Sequence, residues 1–394
     1  MNKEQGKRFT QLYEAHKEEL VEFYRSAIRI PSFSNQEKPL AELIVSKMKE
    51  LGYDEAYIDP TGNAVGRVGD GPEIIHFDGH MDVVGVPDAE LWVSPPFEAN
   101  IVDGMVYGRG SVDMKGGLSA AIYAAALAKK AGLLDGKTVY VTGTVCEEYC
   151  DGVCLEHFYK DSGVKPDYCV ICEPSNNVIT LGHTGKVQVL ITTHGVSAHG
   201  SAPEKGINAV YEMAEIITRV DELNRRLSRT DGGGTVVLSQ ISCKSASVNA
   251  VPNECSIYLD RRLRLEETTE QVRKEMDELI AGKRASWASG DLHFDSWTGE
   301  KLDYVPIHDP WKTDVNHPLI QAGNRAYTAA FGCAPQEYDF WDFSTNAVVP
   351  VPMGVTCIGF GPGVYKLAHM RDECCDPRQV QEACSFYTHL IEEL

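Results

Sequence analysis

Along the first half of the chain the period of the apolar positions switches back and forth between helical and extended. Two amphipathic helices are predicted over residues 9–29 and 38–51; in the second, Leu40, Leu43, Ile44 and Met48 fall on one face. Short continuous apolar runs follow at 74–77, 138–145 and 168–172, and an Ala-rich helix is predicted between the first two, after Gly116-Gly117. Strands alternating with helices imply an α/β architecture, a mostly parallel sheet sandwiched by helices. The middle of the chain reads differently. A strand at 186–193, a long helix at 207–227, a turn at 231–234, strands at 235–241 and 255–263 and a helix near 268–280 suggest an inserted α+β unit. A helix at 319–330, a strand at 355–360 and a helix from Arg378 onward then complete the first sheet.

Composition narrows the function. With 57 acidic against 37 basic residues, the net charge of −20 argues against a nucleic-acid footprint or docking on anionic lipid. The Ala-rich stretch is too short and small-sided to span a bilayer. The first twenty residues are polar, without the apolar segment of a signal peptide. A soluble cytoplasmic protein with reduced thiols is expected, and no CxxC pair suggests a zinc ribbon. Cys146, Cys150 and Cys154, four apart, read as a helical stripe of small buried hydrophobes, and adjacent Cys374-Cys375 as free thiols.

In open α/β sheets, ligands collect outside the carboxyl ends of the strands. His80, Asp113, Glu147-Glu148 and Glu173 each come just after such a run or its connecting loop. His80 and Asp82, two apart in an extended chain, point the same way, and a carboxylate beside an imidazole fixes its tautomer. By itself this pair is as well explained by structure, and Asp113 by an exposed loop. Glu147-Glu148 is stronger, because two acids ending so apolar a strand are costly unless something neutralises them. A metal does so, leaving one Glu to bind and its neighbour to move a proton. His369, beyond the Gly361-Pro362-Gly363 turn, is on its own more often a packed surface residue.

Taken in order, GHMDVV (79–84), YGRGSVDMKGG (107–117), EE (147–148), CEPS (172–175), SAHGSAPEKGINA (197–209), NAVP (249–252), DRR (260–262) and His369 resemble one superfamily. It is the zinc-dependent metallopeptidases that include aminoacylases, glutamate carboxypeptidases, acetylornithine deacetylases and succinyl-diaminopimelate desuccinylases. Within it, the chain looks most like the hydrolases linked to selenium metabolism. The resemblance implies two divalent metal ions, zinc with cobalt or manganese as substitutes. His80, Asp113 and Glu173 would hold one, and Asp113, Glu148 and His369 the other. Asp82 would clamp His80, and Glu147 would act as general base. A cis peptide is expected after Asp113.

The same resemblance divides the chain into a catalytic domain (1–183 and 297–394) and an inserted lid and dimerisation domain (184–296). His199 would polarise the scissile carbonyl, in its own or the partner subunit, and Asn249 and Arg262 would grip a substrate carboxylate. Which of Arg261 and Arg262 faces the substrate stays open. The implied activity is hydrolysis of the amide bond in a small N-acyl or N-carbamoyl amino acid or short peptide, by a homodimer. Two-metal phosphoester cleavage and metal-dependent binding without catalysis are the alternatives. Two departures bear on specificity: Tyr149-Cys150-Asp151 intervene before Gly152, and Trp341 to Asn346 differ from the Gly- and Asp-rich stretch of the desuccinylases.

Overall fold

A computed structural model describes residues 2–229 and 233–394. Its larger sheet has nine strands. Four central ones, Lys137–Thr144, Glu73–His80, Tyr168–Ile171 and Thr356–Gly359, run parallel in that order. Antiparallel neighbours flank them, Ala64–Gly69 and Glu55–Ile58 on one side and Thr180–His183 with Trp311–Lys312 on the other. A ninth strand, Asp339–Trp341, pairs parallel with Thr180–His183. Helices Lys3–Ile28, Lys115–Ala131, Pro318–Phe331 and Pro377–Glu393 pack among themselves and against this sheet. The central strands, buried on both faces, are the near-continuous apolar runs of the sequence.

The Ala-rich helix Lys115–Ala131 is buried along almost its whole length. Small side chains let it nest between its neighbours, and Gly117 brings its first turn against the end of a sheet strand. A Cβ there would stand 2.0 Å from the carbonyl oxygen of Cys172.

The second sheet is antiparallel, ordered Thr235–Lys244, Glu254–Leu263, Gly185–His194 and Ala285–Ser289. Burial alternates along Glu254–Leu263, as a sheet covered on one face requires. Helices Ala209–Arg229 and Thr269–Ile280 cover that face, closing a separate core around Ile191, Met213, Ile216, Ile257 and Met276. Pairing with Gly185–His194 continues to Ile307–His308, beyond the hairpin Leu292–Asp295 and Lys301–Tyr304.

Two expectations shift. The first helix starts at Lys3, because Asn2 and Gln5 form a capping box ahead of the apolar stripe. Asp231 and Gly232 of the expected turn lie outside the described residues. Cys146, Cys150 and Cys154 are buried free thiols, but they do not form a helical stripe. Cys146 has φ +58° and the helix begins only at Val153, since the intervening backbone turns to serve the site. Cys374 and Cys375 are also free. No helix among the described residues is long and apolar enough to cross a membrane.

Candidate metal centre

Each candidate ligand except Asp113 comes from the carboxyl end of a central strand or the loop beyond it. His80 ends its strand, Glu147 and Glu148 follow Thr144, and Glu173 follows Ile171. Asp113 immediately precedes the cis peptide to Met114, at the head of the Ala-rich helix, as expected. His369 sits in a left-handed turn (φ +62°) after the strand Thr356–Gly359.

These groups converge. His80 Nε2 lies 2.8 Å from Asp113 Oδ1 and 3.6 Å from Glu173 Oε1. His369 Nε2 lies 3.3 Å from Asp113 Oδ2 and 3.0 Å from Glu148 Oε1. Asp113 therefore touches both histidines, one through each oxygen. Two sets of donor atoms each fall within 4.8 Å of one another, His80 with Glu147 and Glu173, and His80 with Asp113 and Glu148.

The electrostatics call for cations. Burial, with the charges of Glu173, Asp151 and Glu148, pushes Glu147 well above the usual carboxylate range despite His80 nearby. Burial and Asp113 do the same to Glu173, and lift Glu148 to about 7. Desolvation acts on the partly buried Asp113 too, but hydrogen bonds from His369 and His80 hold it low. Hydrogen bonds to Asp113 and Glu148 in turn raise His369 to about 10. Four clustered carboxylates sharing two imidazoles form an incomplete charge set, and oxygen and imidazole donors at these separations suit divalent metals.

Asp82 takes a role that the sequence did not suggest. It meets His80 Nδ1 chiefly through its backbone carbonyl, at 2.9 Å, while its carboxylate stands 3.5 Å away. That carboxylate instead accepts from the N–H groups of Glu147 (3.0 Å) and Glu148 (3.1 Å) and from Ser34 Oγ (2.6 Å). The preceding N–H groups are also held by side chains, Cys146 by Glu37 (2.9 Å) and Val145 by Asn63 (3.0 Å). Four consecutive N–H groups thus bond side chains, which shapes the turn that brings the two Glu residues to the cavity.

A cavity of about 490 Å³ opens above these residues. Its far wall carries Arg262 and Lys186, directly opposite each other on paired strands. Arg262 pairs with Asp260 at 2.7 Å, and Lys186 with Asp151 at 2.6 Å. Arg261, by contrast, is fully buried between Glu267 and Glu275, so of the two arginines only Arg262 faces the cavity. His199 and Asn249 lie on two neighbouring exposed loops, joined where His199 bridges Ala250 and Gly200 N donates to Asn249 O. Neither lines the cavity.

The two departures noted in the sequence meet here. Gly152 N donates to Asn346 Oδ1 at 2.6 Å, and Asp151, Asp342, Phe343 and Ser344 line one side. Sequence reasoning did not assign roles to Asp151, Lys186, Tyr365 and Lys366, all on the cavity wall. Asp151 was visible only as part of an irregular spacing.

The sequence pattern of peptidase family M20/M25/M40 matches residues 76–393. The chain is 37% identical over 360 residues to "Uncharacterized protein YgeY" of Escherichia coli K12, covering 90% of this chain and 89% of that one. It is 25% identical to "Probable succinyl-diaminopimelate desuccinylase" of Staphylococcus epidermidis, covering 88% and 90%. The fold superposes on an M20 family metallo-carboxypeptidase from Sulfolobus solfataricus with a TM-score of 0.73 at 18% identity, over 95% of this chain and 98% of that one.

Proposed function

From the premise that this chain belongs to peptidase family M20/M25/M40 and is a metal-dependent hydrolase of C–N bonds, we propose its substrate class and the roles of its residues. The substrate is a small N-acyl or N-carbamoyl amino acid or a short peptide with a free carboxylate. The observation that carries this reading is the convergence of His80, Asp113, Glu148, Glu173 and His369 beside a further buried carboxylate, Glu147.

His80, Asp113 and Glu173 would hold one divalent cation, and Asp113, Glu148 and His369 the other, with zinc the expected metal. Bound there, the pair would polarise the scissile carbonyl and lower the pKa of a water. Glu147 lies within donor-atom reach of His80 and Glu173. It takes a proton from the attacking water and delivers it to the leaving amine. Asp82 keeps the Glu147 backbone in place throughout. Arg262, a planar fork on the far wall, receives the substrate carboxylate, with Lys186 beside it.

Residues 184–296 act as an inserted lid through which two copies pair. His199 and Asn249 reach the substrate when the lid closes or from the partner subunit, since each stands outside the cavity in a single open chain. The wall formed by Asp151, Asp342, Phe343 and Ser344 selects the acyl group or side chain.

Amine release by zinc-loaded protein, across N-acyl, N-succinyl and N-carbamoyl amino acids and dipeptides, tests the reading. Turnover of one class that disappears in Glu147→Ala supports it. No turnover by protein carrying two metals, or turnover that survives the substitution, rejects it.

A further inference from the structure

The proposed chemistry gives no role to Glu373, a buried carboxylate beside the candidate ligands. Glu373 is fully buried, four residues beyond His369 and 260 beyond Asp113. Its Oε1 accepts three backbone N–H groups, from Gly110 (3.1 Å), Val112 (2.8 Å) and Asp113 itself (3.1 Å). Its Oε2 takes Arg109 Nη1 at 2.5 Å. Arg109 is nearly as buried and reaches onward, to Met370 O (3.2 Å) and His369 O (3.3 Å). One ion pair therefore grips the backbone of Asp113 on one side and of His369 on the other.

We propose that Glu373 and Arg109 are positioning residues that set the distance between the Asp113 carboxylate and the His369 imidazole. The inference rests on the ligand assignment given above. Neither ligand lies in a strand or helix, so no regular ladder fixes either. The short strand Cys374–Cys375 already pairs with Met105–Tyr107 and joins the two segments. Fastening the segments therefore does not need the ion pair. What the pair adds is a bond at each ligand's own peptide. Charge-assisted bonds are short and directional, which suits holding two ligands at a set separation.

Calorimetric zinc binding to metal-free, full-length protein tests this, with circular-dichroism melting as a check on folding. Glu373→Gln keeps an acceptor oxygen but loses the charge. It is expected to weaken both zinc equivalents about 10- to 100-fold, because Asp113 contributes to both. Arg109→Lys keeps a cation beside Glu373 but cannot span to both carbonyls. It is expected to weaken only the equivalent that His369 holds, turning binding into two unequal steps. A merely structural pair would lower the melting temperature and leave zinc affinity unchanged. That result in Arg109→Lys overturns the proposal, even if Glu373→Gln does not fold. His369→Ala separates this failure from failure of the assignment. If His369→Ala still binds two equivalents as tightly as the parent, the assignment falls and the inference with it. If it loses one while Arg109→Lys loses none, only the inference falls.

Discussion

The two walls of the cavity are built in different ways. On the sheet side, Asp113, Glu147 and Glu148 stand on irregular turns whose backbone N–H groups bond the buried side chains of Glu373 and Asp82, while Glu37 and Asn63 hold the residues just before the Glu pair. On the side of the second sheet, Arg262 and Lys186 project from regular strands, and His199 and Asn249 stand on two exposed loops outside the cavity. The first wall is organised before any substrate arrives. The second supplies charge from a regular sheet, and on the proposed reading further groups are brought in by motion or by a second copy. Rigid placement is where proton transfer and metal geometry demand it, since small displacements of reacting groups are expensive in rate.

Substitutions on the two walls should therefore behave differently. The largest effect is expected from Glu147→Gln, which should lower kcat about 10²- to 10⁴-fold with little change in KM or zinc content, read by steady-state kinetics and metal analysis. Retained kcat would remove Glu147 from the chemistry. The neighbouring arginines should then split. Arg261→Met leaves Glu267 and Glu275 without their buried partner and should cost about 3–5 kcal/mol in stability, seen by urea unfolding. Arg262→Ala should leave stability nearly unchanged and raise KM about tenfold; equal behaviour of the two would erase the distinction between them.

His199→Ala should lower kcat about 10- to 100-fold, and mixing it with Glu147→Gln protein should restore activity if the imidazole works across a dimer. No recovery would confine His199 to its own subunit.

The last prediction concerns the main sheet under the site. Burial pushes His76 down to about 3, where it bonds Tyr159 Oη at 2.6 Å and Thr142 Oγ1 at 2.9 Å. Its unfolded pKa is about 6.5, so below that pH the unfolded chain takes up a proton that the folded one refuses. The stability that His76 confers is complete above pH 6.5 and shrinks as pH falls toward 3. The difference in unfolding free energy between wild type and His76→Gln should narrow by about 1.4 kcal/mol per pH unit in that window. A constant difference would show that the imidazole is not buried as a neutral ring.

The fold was legible wherever period and burial agree. The helix at 38–51 matches its predicted bounds, and the central strands lie within a residue or so of the predicted runs, apart from Glu73–His80, which extends three residues beyond its run. The convergence of His80, Asp113, Glu148, Glu173 and His369 was legible too, because strand ends and a distinctive motif order announced it. What supports them was not. Glu373, Arg109, Glu37 and Asn63 act on backbone N–H groups far away in sequence, and such bonds leave no periodic trace. The turn after Val145 defeated the helical reading of the cysteines for the same reason: its N–H groups go to side chains, and spacing alone does not reveal that. Asp82 was read correctly as a neighbour of His80, yet its closest carboxylate bonds are to Ser34 and the Glu pair.

The close approach at Gly117 has a consequence for how such a protein can diversify. The Ala-rich helix meets the sheet there at backbone distance, and Gly361 approaches the carbonyl oxygen of Glu173 in the same way, its absent Cβ only 2.4 Å from it. No side chain can be added at either point without moving the ground on which the ligands stand. On the proposed reading, room for a change of substrate lies instead along the wall of Asp151, Asp342, Phe343 and Ser344, away from these two contacts.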